Sequence, residues 1–174
     1  MSSSDKIQDF IEHTQNNVKE TPALALIGTK DKTDKMINEL IDTFGEKNCF
    51  IIDDNKVSTM MNSFDDITDR TKLWIEEENI FKKPLVIFKL NFYTLIDGYF
   101  VKLFKSIVSG DKIACLRKKE IHEIDDEDPN DDGLTYHYPH LDFKNSNFVI
   151  SMTKKTYEMI DDKSIYYRLN TVNL

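Results

Sequence analysis

Short apolar runs alternate along the chain with longer segments in which apolar residues recur every three or four positions. The runs are too short for ordinary helices and are apolar on both faces, which is typical of strands buried in a parallel sheet. Strands are therefore predicted at residues 23–27, 49–52, 85–88, 148–152 and 170–174.

The segments between these runs predict helices, because their apolar residues fall on one helical face. The predicted helices cover residues 7–18, 36–44, 57–64, 69–79, 92–108 and 156–160. We expect Pro22 to end the first helix, Gly45 the second and Gly110 the long one, since Pro and Gly commonly follow helix ends.

Strands that alternate with helices predict a fold of the α/β class, in which right-handed crossovers cover both faces of a parallel sheet. We expect a three-layer α/β/α sandwich with a mainly parallel central sheet. Residues 1–20 are predicted to form an N-terminal amphipathic helix. Residues 21–174 are predicted to form a single domain with an acidic loop insertion at about residues 117–147.

The composition of the 174 residues fits a soluble domain, since 40% are hydrophobic and 31% are charged. No run approaches the ~20 apolar residues of a membrane span, so no membrane partner is expected. The 31 acidic and 23 basic side chains give a net charge of −8, which argues against simple coating of nucleic acid. Cys49 and Cys115 are too few for a disulfide-linked scaffold, and residues 1–5 lack the features of a signal peptide. An intracellular, reducing compartment is therefore expected.

Polar residues follow several of the predicted strands. These residues are Gly28, Asp53, Asp54, Lys89 and Thr153. Because ligands of parallel sheets usually bind beyond the carboxyl ends of the strands, we expect the functional site at this edge.

The turn after the first strand partly matches a phosphate-binding loop. That loop has the pattern G-x-x-x-x-G-K-[ST], in which backbone N–H groups and the Lys hold phosphates and the hydroxyl binds Mg²⁺. Gly28, Lys32 and Thr33 match in type. The turn is shorter, however, and Asp31 replaces the second Gly, so a carboxylate stands where a triphosphate would bind.

This order of elements resembles the core of P-loop ATPases of the additional-strand class. Within that class, it resembles the genome-packaging ATPases of large DNA viruses, relatives of the FtsK and HerA pumps. Residues 160–170 are similar to the family segment Ile-Pro-x-x-Ile-Arg-x-Asn, with Arg168 and Asn170 in matching places. AAA+ ATPases are the competing match. The resemblance spans residues 23–174 and implies nucleotide contacts from Gly28, Lys32, Thr33, Thr153 and Arg168.

Several catalytic groups that the resemblance implies are missing. The third predicted strand continues into Lys89 and Leu90, where the family carries two acidic residues that bind Mg²⁺ and activate water. Thr153 stands where the pumps often have Gln. We therefore expect no catalytic residue and no cofactor. The expected role is that of a non-catalytic assembly, regulatory or structural subunit of a viral or nucleic-acid-handling machine. The expected location is the host cytoplasm or the virion. We expect the chain to bind other proteins or further copies of itself, and to contact nucleic acid only through such a complex.

Two alternatives remain open at this stage. If the strand at residues 49–52 lies beside the first strand, Asp53 could hold Mg²⁺ opposite Thr33, and Lys32 could bind ATP. The chain would then be an ATPase or a small kinase with ATP and Mg²⁺ as cofactors. The other alternative is a purely structural virion protein whose acidic residues 123–132 contact neighbours.

Other possible binding motifs have simpler explanations. Residues 128–133 match half of an EF-hand loop, but the closing Glu is missing, so a solvated acidic loop is expected. The spacing of His137, His140 and Cys115 matches no common zinc pattern, so surface roles are expected for the histidines. The aromatic residues of segment 92–104 are expected to belong to the core rather than to stack on nucleic acid.

Overall fold

A five-stranded parallel sheet lies at the centre of the computed structural model, which describes residues 1–20, 22–61, 83–110, 113–114, 118–137, 140–141 and 143–174. Its strands are β1 (Ala23–Ile27), β2 (Cys49–Ile52), β3 (Leu85–Phe88), β8 (Asn147–Met152) and β9 (Leu169–Asn173). They lie side by side in the order β2-β3-β8-β1-β9, and every neighbouring pair is parallel. This arrangement confirms the predicted α/β class with a parallel central sheet.

Helices cover both faces of the sheet. They are α1 (Ser3–Gln15), α2 (Lys30–Phe44), α3 (Asp54–Met61), α4 (Phe92–Ile96), α5 (Gly98–Val108) and α6 (Lys154–Met159), with short 3-10 helices at Glu46–Asn48 and Lys163–Arg168. The predicted helix at residues 69–79 lies outside the described residues. Each described helix is too short or too polar to cross a lipid bilayer.

Alternate residues of each strand enter two separate apolar cores. In β1, Leu24 and Leu26 pack with α1 and α2, whereas Ala25 and Ile27 face the layer of α3, α4 and α5. Because all of β1 is buried, the strand contributes to both cores at once. The result is the expected three-layer sandwich.

Phenylalanine rings fill the core between the sheet and α5. Phe88 lies 5.1 Å from Phe104 and 6.1 Å from Phe100, measured between ring centroids, and both contacts are edge-to-face. All three rings are almost fully buried. Burial of each ring stabilises the fold by about 1.5–3 kcal/mol, so this cluster is a main source of stability.

The polar insertion contains short strands rather than an unstructured loop. β4 (Ile113–Ala114) pairs with β7 (His140–Leu141), and β5 (Lys118–Ile121) pairs with β6 (Leu134–His137). Both pairs are antiparallel, and neither belongs to the central sheet. Residues 118–121, 134–137 and 140–141 thus form short strands within the segment that is predicted to be an acidic loop.

Helix α1 ends earlier than predicted. It stops at Gln15, well before Pro22, because Asn17 adopts a left-handed conformation with φ of +56°. The Val18 N–H donates to His13 O at 2.8 Å, and the Asn17 N–H donates to Thr14 O at 3.2 Å. These two bonds form a Schellman motif, in which Asn replaces the usual Gly.

The predicted long helix at residues 92–108 is divided at Asp97. This residue is extended, and its carboxylate accepts hydrogen bonds from the N–H groups of Tyr99 and Phe100, so it starts a new helix. As a consequence Tyr93 and Tyr99, expected in the core, are each 78% exposed.

Asn147 links the segment after α1 to the central sheet. Its side chain is buried, and its Nδ2 donates to Thr14 Oγ1 at 3.0 Å and to Val18 O at 2.8 Å. Its Oδ1 accepts a hydrogen bond from the Glu20 N–H at 2.7 Å. The amide therefore satisfies three polar groups that would otherwise lose their partners at the amino edge of the sheet.

Lys19 lies over the same edge. Its ammonium donates to Ser146 O and stands 4.2 Å from the centre of the Phe148 ring. The residue as a whole is exposed, but burial of its ammonium lowers the pKa of Lys19 to about 8. The ammonium is thus held by a carbonyl and an aromatic face rather than by a carboxylate.

We predict that Asn147→Ala lowers the free energy of unfolding by about 2–4 kcal/mol, because buried backbone groups lose their hydrogen bonds. Urea denaturation followed by circular dichroism measures the change. Asn38→Ala, on the exposed face of α2, is the matched control and should leave stability unchanged or slightly raised. Equal effects of the two substitutions would contradict the structural role of Asn147.

Candidate functional site

A cleft of about 460 Å³ opens at the carboxyl edge of the sheet. The ends of β1, β3 and β8 form its floor, and residues of α2, α4 and α6 form its walls. This is the position at which parallel α/β sheets usually bind ligands, and the volume suits a small molecule. The cleft is therefore the candidate functional site.

The cleft brings together only some of the residues singled out in the sequence. Gly28, Thr33 and Thr153 line it, together with Lys89 and Asp54. The other three proposed site residues, Lys32, Asp53 and Arg168, are not among its lining residues.

The turn between β1 and α2 consists of only two residues, Gly28 and Thr29. The Thr29 side chain caps α2, because its Oγ1 accepts a hydrogen bond from the Lys32 N–H at 3.4 Å. The Thr33 N–H donates to Thr29 O at 3.0 Å. The cap thus occupies the Lys32 amide, one of the four N–H groups that a helix leaves without an intrahelical partner at its start, and the two-residue turn is shorter than the loop of the phosphate-binding pattern.

Gly28 serves close packing rather than unusual backbone geometry. Its φ is not in the left-handed region, unlike that of Gly45, Gly110 and Gly133. A Cβ at this position would lie 3.2 Å from Leu174 Cβ, and the Leu174 N–H donates to Ile27 O at 2.8 Å. The end of β9 therefore passes beside the turn, which a larger residue than Gly would obstruct.

The Thr33 hydroxyl is bonded within its own helix. Thr33 is 4% exposed, and its Oγ1 donates to Lys30 O at 3.1 Å. A hydroxyl binds a cation through an oxygen lone pair, and donation of its hydrogen to Lys30 O leaves those lone pairs available. Thr33 lines the cleft, but its hydrogen bond secures the first turn of α2.

Lys30, rather than Lys32, is the α2 lysine that lines the cleft. Its ammonium forms an ion pair with Asp34 Oδ2 at 2.5 Å, and the hydrogen bond to this carboxylate raises the pKa of Lys30. Asp34 also lines the cleft. The pair therefore presents both charges to a ligand, and the carboxylate opposes binding of a polyphosphate.

The condition for an Asp53 metal site is not met. β2 lies at an edge of the sheet, and β3 and β8 separate it from β1, which puts the two strand ends about 14 Å apart. Asp53 Oδ1 accepts a hydrogen bond from the Lys56 N–H at 2.9 Å, near the start of α3. The sequence could not predict this separation, because it depends on the order of the strands.

Asp54 and Asn91, which border the cleft, stabilise the start of α4. Asp54 Oδ1 accepts hydrogen bonds from Thr94 Oγ1 at 2.6 Å and from the Asn91 N–H at 3.2 Å. Asn91 caps α4 by accepting a bond from the Thr94 N–H at 3.0 Å. Asn91 and Lys30 line the cleft but were not predicted as site residues from the sequence. Their positions at the starts of α4 and α2 could have indicated that they lie at the carboxyl edge of the sheet.

Lys89 extends from the end of β3 into the rim of the cleft. It is exposed, and no ion-pair partner of its ammonium lies within the described part of the chain. Its backbone N–H donates to Ile52 O at 3.0 Å, which fixes the strand end. Lys89 contributes positive charge where an acidic residue would be required to bind Mg²⁺.

Thr153 caps α6 on the opposite wall. Its Oγ1 accepts a bond from the Thr156 N–H at 3.1 Å and lies 2.9 Å from Thr156 Oγ1. Both hydroxyl groups border the cleft. Each side chain is thus committed to a neighbour, and the pair offers limited hydrogen-bonding capacity to a ligand.

Arg168 lies at the amino edge of the sheet, whereas Gly28 follows β1 at the carboxyl edge. Leu169, the next residue, pairs with Ala23 at the start of β1, about 16 Å from the carboxyl edge. The Arg168 guanidinium donates to Ser164 O at 3.1 Å and to Ser109 Oγ at 3.4 Å. It joins α5 to the 3-10 helix.

The described residues contain no cluster of three His, Cys, Asp or Glu side chains that could hold a metal ion. His137 and His140 belong to different strand pairs, β6 and β7, and Cys115 lies outside the described residues. The cleft therefore offers a mixture of lysines, carboxylates, hydroxyl groups and apolar side chains.

We predict that Thr29→Ala lowers the free energy of unfolding by about 1 kcal/mol, because α2 loses its cap. Thr29→Asn, which keeps a capping oxygen, should retain most of the stability. Thermal unfolding of both variants makes the comparison. Equal stability of Thr29→Ala and the natural protein would contradict the capped two-residue turn.

A search against models of known protein families and a search of curated proteins found no match to this chain.

Proposed function

We propose that this chain is a non-catalytic, P-loop NTPase-like domain that acts as an assembly or regulatory subunit of a viral or nucleic-acid-handling machine. The observation that carries the proposal is the two-residue turn between β1 and α2, capped by Thr29 and packed against Leu174. A triphosphate requires a longer loop with several free backbone N–H groups at this position.

The strand order supports kinship with the additional-strand class of P-loop NTPases. β8 lies between β1, which leads into the turn, and β3, which ends at the position of the missing acidic motif. In the class that the sequence resembles, one strand likewise lies between the strand that carries the phosphate loop and the strand that carries the acidic motif. A fold can outlast its activity, because sheet packing depends on apolar strands and catalysis on a few polar groups.

The charged residues of the cleft support a role without ATP hydrolysis. Lys89 stands at the end of β3, and an ammonium group can neither bind Mg²⁺ nor activate water. Asp34 places a carboxylate near the start of α2, where it would repel phosphate. Lys32 does not line the cleft.

Exposed aromatic side chains support a role in protein contact. Tyr93 and Tyr99 are each 78% exposed, and Tyr167 is 87% exposed. Tyrosine is enriched at the centres of protein interfaces, since it buries a large apolar area and keeps a polar end. The partners are other proteins or further copies of the chain, and nucleic acid is reached through such a complex.

An ATPase or small kinase that uses Lys32, Thr33 and Asp53 is a weaker proposal. It requires these three side chains to converge on one nucleotide. The separation of β2 from β1 and the absence of Lys32 from the residues that line the cleft both oppose it. No observation favours it over the non-catalytic role.

We predict that a fluorescent ATP analogue with Mg²⁺ shows no saturable binding at concentrations up to about 1 mM, the upper range of ordinary substrate affinities. The physical reason is the absence of a phosphate-binding loop before α2. Fluorescence titration measures binding, and a phosphate-release assay measures hydrolysis.

Lys32→Ala tests whether Lys32 contributes to nucleotide binding. Lys35→Ala on the same helix is the matched control, since both lysines are exposed. Neither substitution should change the titration. Micromolar affinity that Lys32→Ala abolishes and Lys35→Ala preserves would overturn the proposed function.

A further inference from the structure

One ammonium group in the cleft has no partner among the described residues. The described residues that line the cleft include two lysines, and the ammonium of Lys30 is paired with Asp34. The ammonium of Lys89 makes neither an ion pair nor a hydrogen bond within the part of the chain that the structure describes. Lys89 is exposed, so its charge is available to a ligand that enters the cleft.

Ser151 lies beside Lys89 on the same face of the sheet. The parallel strands β3 and β8 pair Phe88 with Ile150, and continuation of this register by one residue brings Lys89 opposite Ser151. Neighbouring strands are about 5 Å apart, and side chains at paired positions point to the same face. The Lys89 N–H donates to Ile52 O at 3.0 Å, which keeps the chain in line with the sheet at this point. The two side chains therefore reach the cleft from adjacent positions.

Ser151 is a polar residue in an otherwise apolar stretch of β8. Residues 148–152 read Phe-Val-Ile-Ser-Met, and Ser151 is the one residue of β8 that is only half-buried. It lines the cleft, and its hydroxyl makes no hydrogen bond with the residues that the structure describes. A hydroxyl in this state can donate to an acceptor on a ligand. Lys89 and Ser151 thus form two adjacent donors, which we call the donor pair.

Apolar side chains line much of the rest of the cleft. Two of them directly follow the donor pair in the chain and two belong to α4; they are Leu90, Met152, Phe92 and Leu95. Leu95 and Met152 are buried, whereas Leu90 and Phe92 are half-buried. Because displacement of water from an apolar wall is favourable, this cleft favours a ligand with an apolar part over a bare ion.

Two carboxylates limit the charge of the ligand. Asp34 and Asp54 both line the cleft. Asp34 is paired with Lys30, and Asp54 accepts hydrogen bonds at the start of α4. Each carboxylate repels an anion, and the single unpaired ammonium of Lys89 can offset only one negative charge. A monoanion therefore fits the cleft better than a phosphate ester or a nucleotide does.

We propose that the cleft binds a small organic monocarboxylate with an apolar tail. The carboxylate contacts the Lys89 ammonium and the Ser151 hydroxyl, and the tail packs against Leu95 and Met152. A hydrogen bond between two charged groups is stronger than one between neutral groups, so Lys89 provides most of the selectivity for an anion. This inference goes beyond the proposed function, since it assigns a ligand to the cleft of a domain that is not expected to bind nucleotide.

Naphthalene-1-acetate is the probe, because it combines one carboxylate with a flat apolar ring system. Heteronuclear NMR of the full chain follows the backbone amide signals during titration. We expect saturable shifts of the amides of Lys89, Leu90, Ser151 and Met152. The expected dissociation constant is about 0.1–1 mM, as for a small ligand that has not been optimised.

Three further compounds separate the contribution of charge from that of apolar contact. 2-(1-Naphthyl)ethanol keeps the rings and has no charge, whereas acetate keeps the carboxylate and has no rings. 1-Naphthyl phosphate carries a second negative charge. Each of the three should bind at least about fivefold more weakly than naphthalene-1-acetate. Tighter binding of the phosphate than of the carboxylate would overturn the proposal in favour of a phosphate ester.

Lys89→Met removes the ammonium and keeps most of the length of the side chain. It should weaken binding of naphthalene-1-acetate about tenfold and leave binding of the naphthyl alcohol unchanged, because only the carboxylate requires the charge. Lys102→Met, at an exposed position of α5 outside the lining of the cleft, is the matched control and should change neither affinity. Ser151→Ala should weaken binding of the carboxylate about threefold, since one hydrogen bond is lost.

Absence of saturable shifts in the cleft at up to about 10 mM probe would overturn the proposal. Equal affinity for the carboxylate and the alcohol would also overturn it, as would full affinity of a Lys89→Met variant that retains the spectrum of the natural protein. Shifts confined to another part of the chain would contradict the assignment to the cleft. None of these results bears on ATP binding, which the fluorescent analogue measures separately. Failure of the carboxylate site is therefore distinguishable from failure of the non-catalytic proposal.

Discussion

Burial of a fully apolar parallel sheet between two helical layers is the constraint on which the rest of the structure depends. Strands such as β1 and β3 expose almost no side chain to water, so polar residues are confined to the strand ends and to the outer faces of the helices. The carboxyl edge then collects Gly28, Lys89 and Thr153 in one cleft, whichever ligand the protein binds. The fold therefore explains why these residues lie at the carboxyl edge of the sheet, but it does not determine the chemical function of the cleft.

The turn after β1 determines what that cleft can bind. Its two residues take α2 directly from the end of the strand, and the first helical turn is secured by Thr29 and by the Thr33 hydroxyl. Close packing of Leu174 against Gly28 closes the turn from the other side. The Thr29 cap thereby occupies the Lys32 amide, one of the N–H groups that a phosphate-binding loop directs toward its ligand.

The sequence predicts the features of the fold that depend on the local pattern of apolar residues. It does not predict the features that depend on contacts between distant parts of the chain. Every predicted strand of the central sheet is present, because a run such as residues 85–88 has no other way to bury its apolar side chains. Helix ends were misplaced at Asn17 and Asp97, where backbone and side-chain hydrogen bonds override periodicity. Asp53 lies far from the turn because β3 and β8 separate β2 from β1, whereas Arg168 lies far from it because it precedes β9 at the amino edge of the sheet. The exposure of residues 120–130 could be predicted from their acidic composition, but the pairing of β5 with β6 could not, since these strands have little apolar periodicity.

Backbone amide chemical shifts of residues 28–33, recorded by NMR during titration with Mg²⁺ and ATP, show directly whether the turn between β1 and α2 binds phosphate. We expect the signals of the Gly28, Thr29 and Lys30 amides to keep their chemical shifts throughout the titration, because the turn is too short to hold a phosphate chain. Saturable shifts confined to these amides, with retention of the rest of the spectrum, would contradict it.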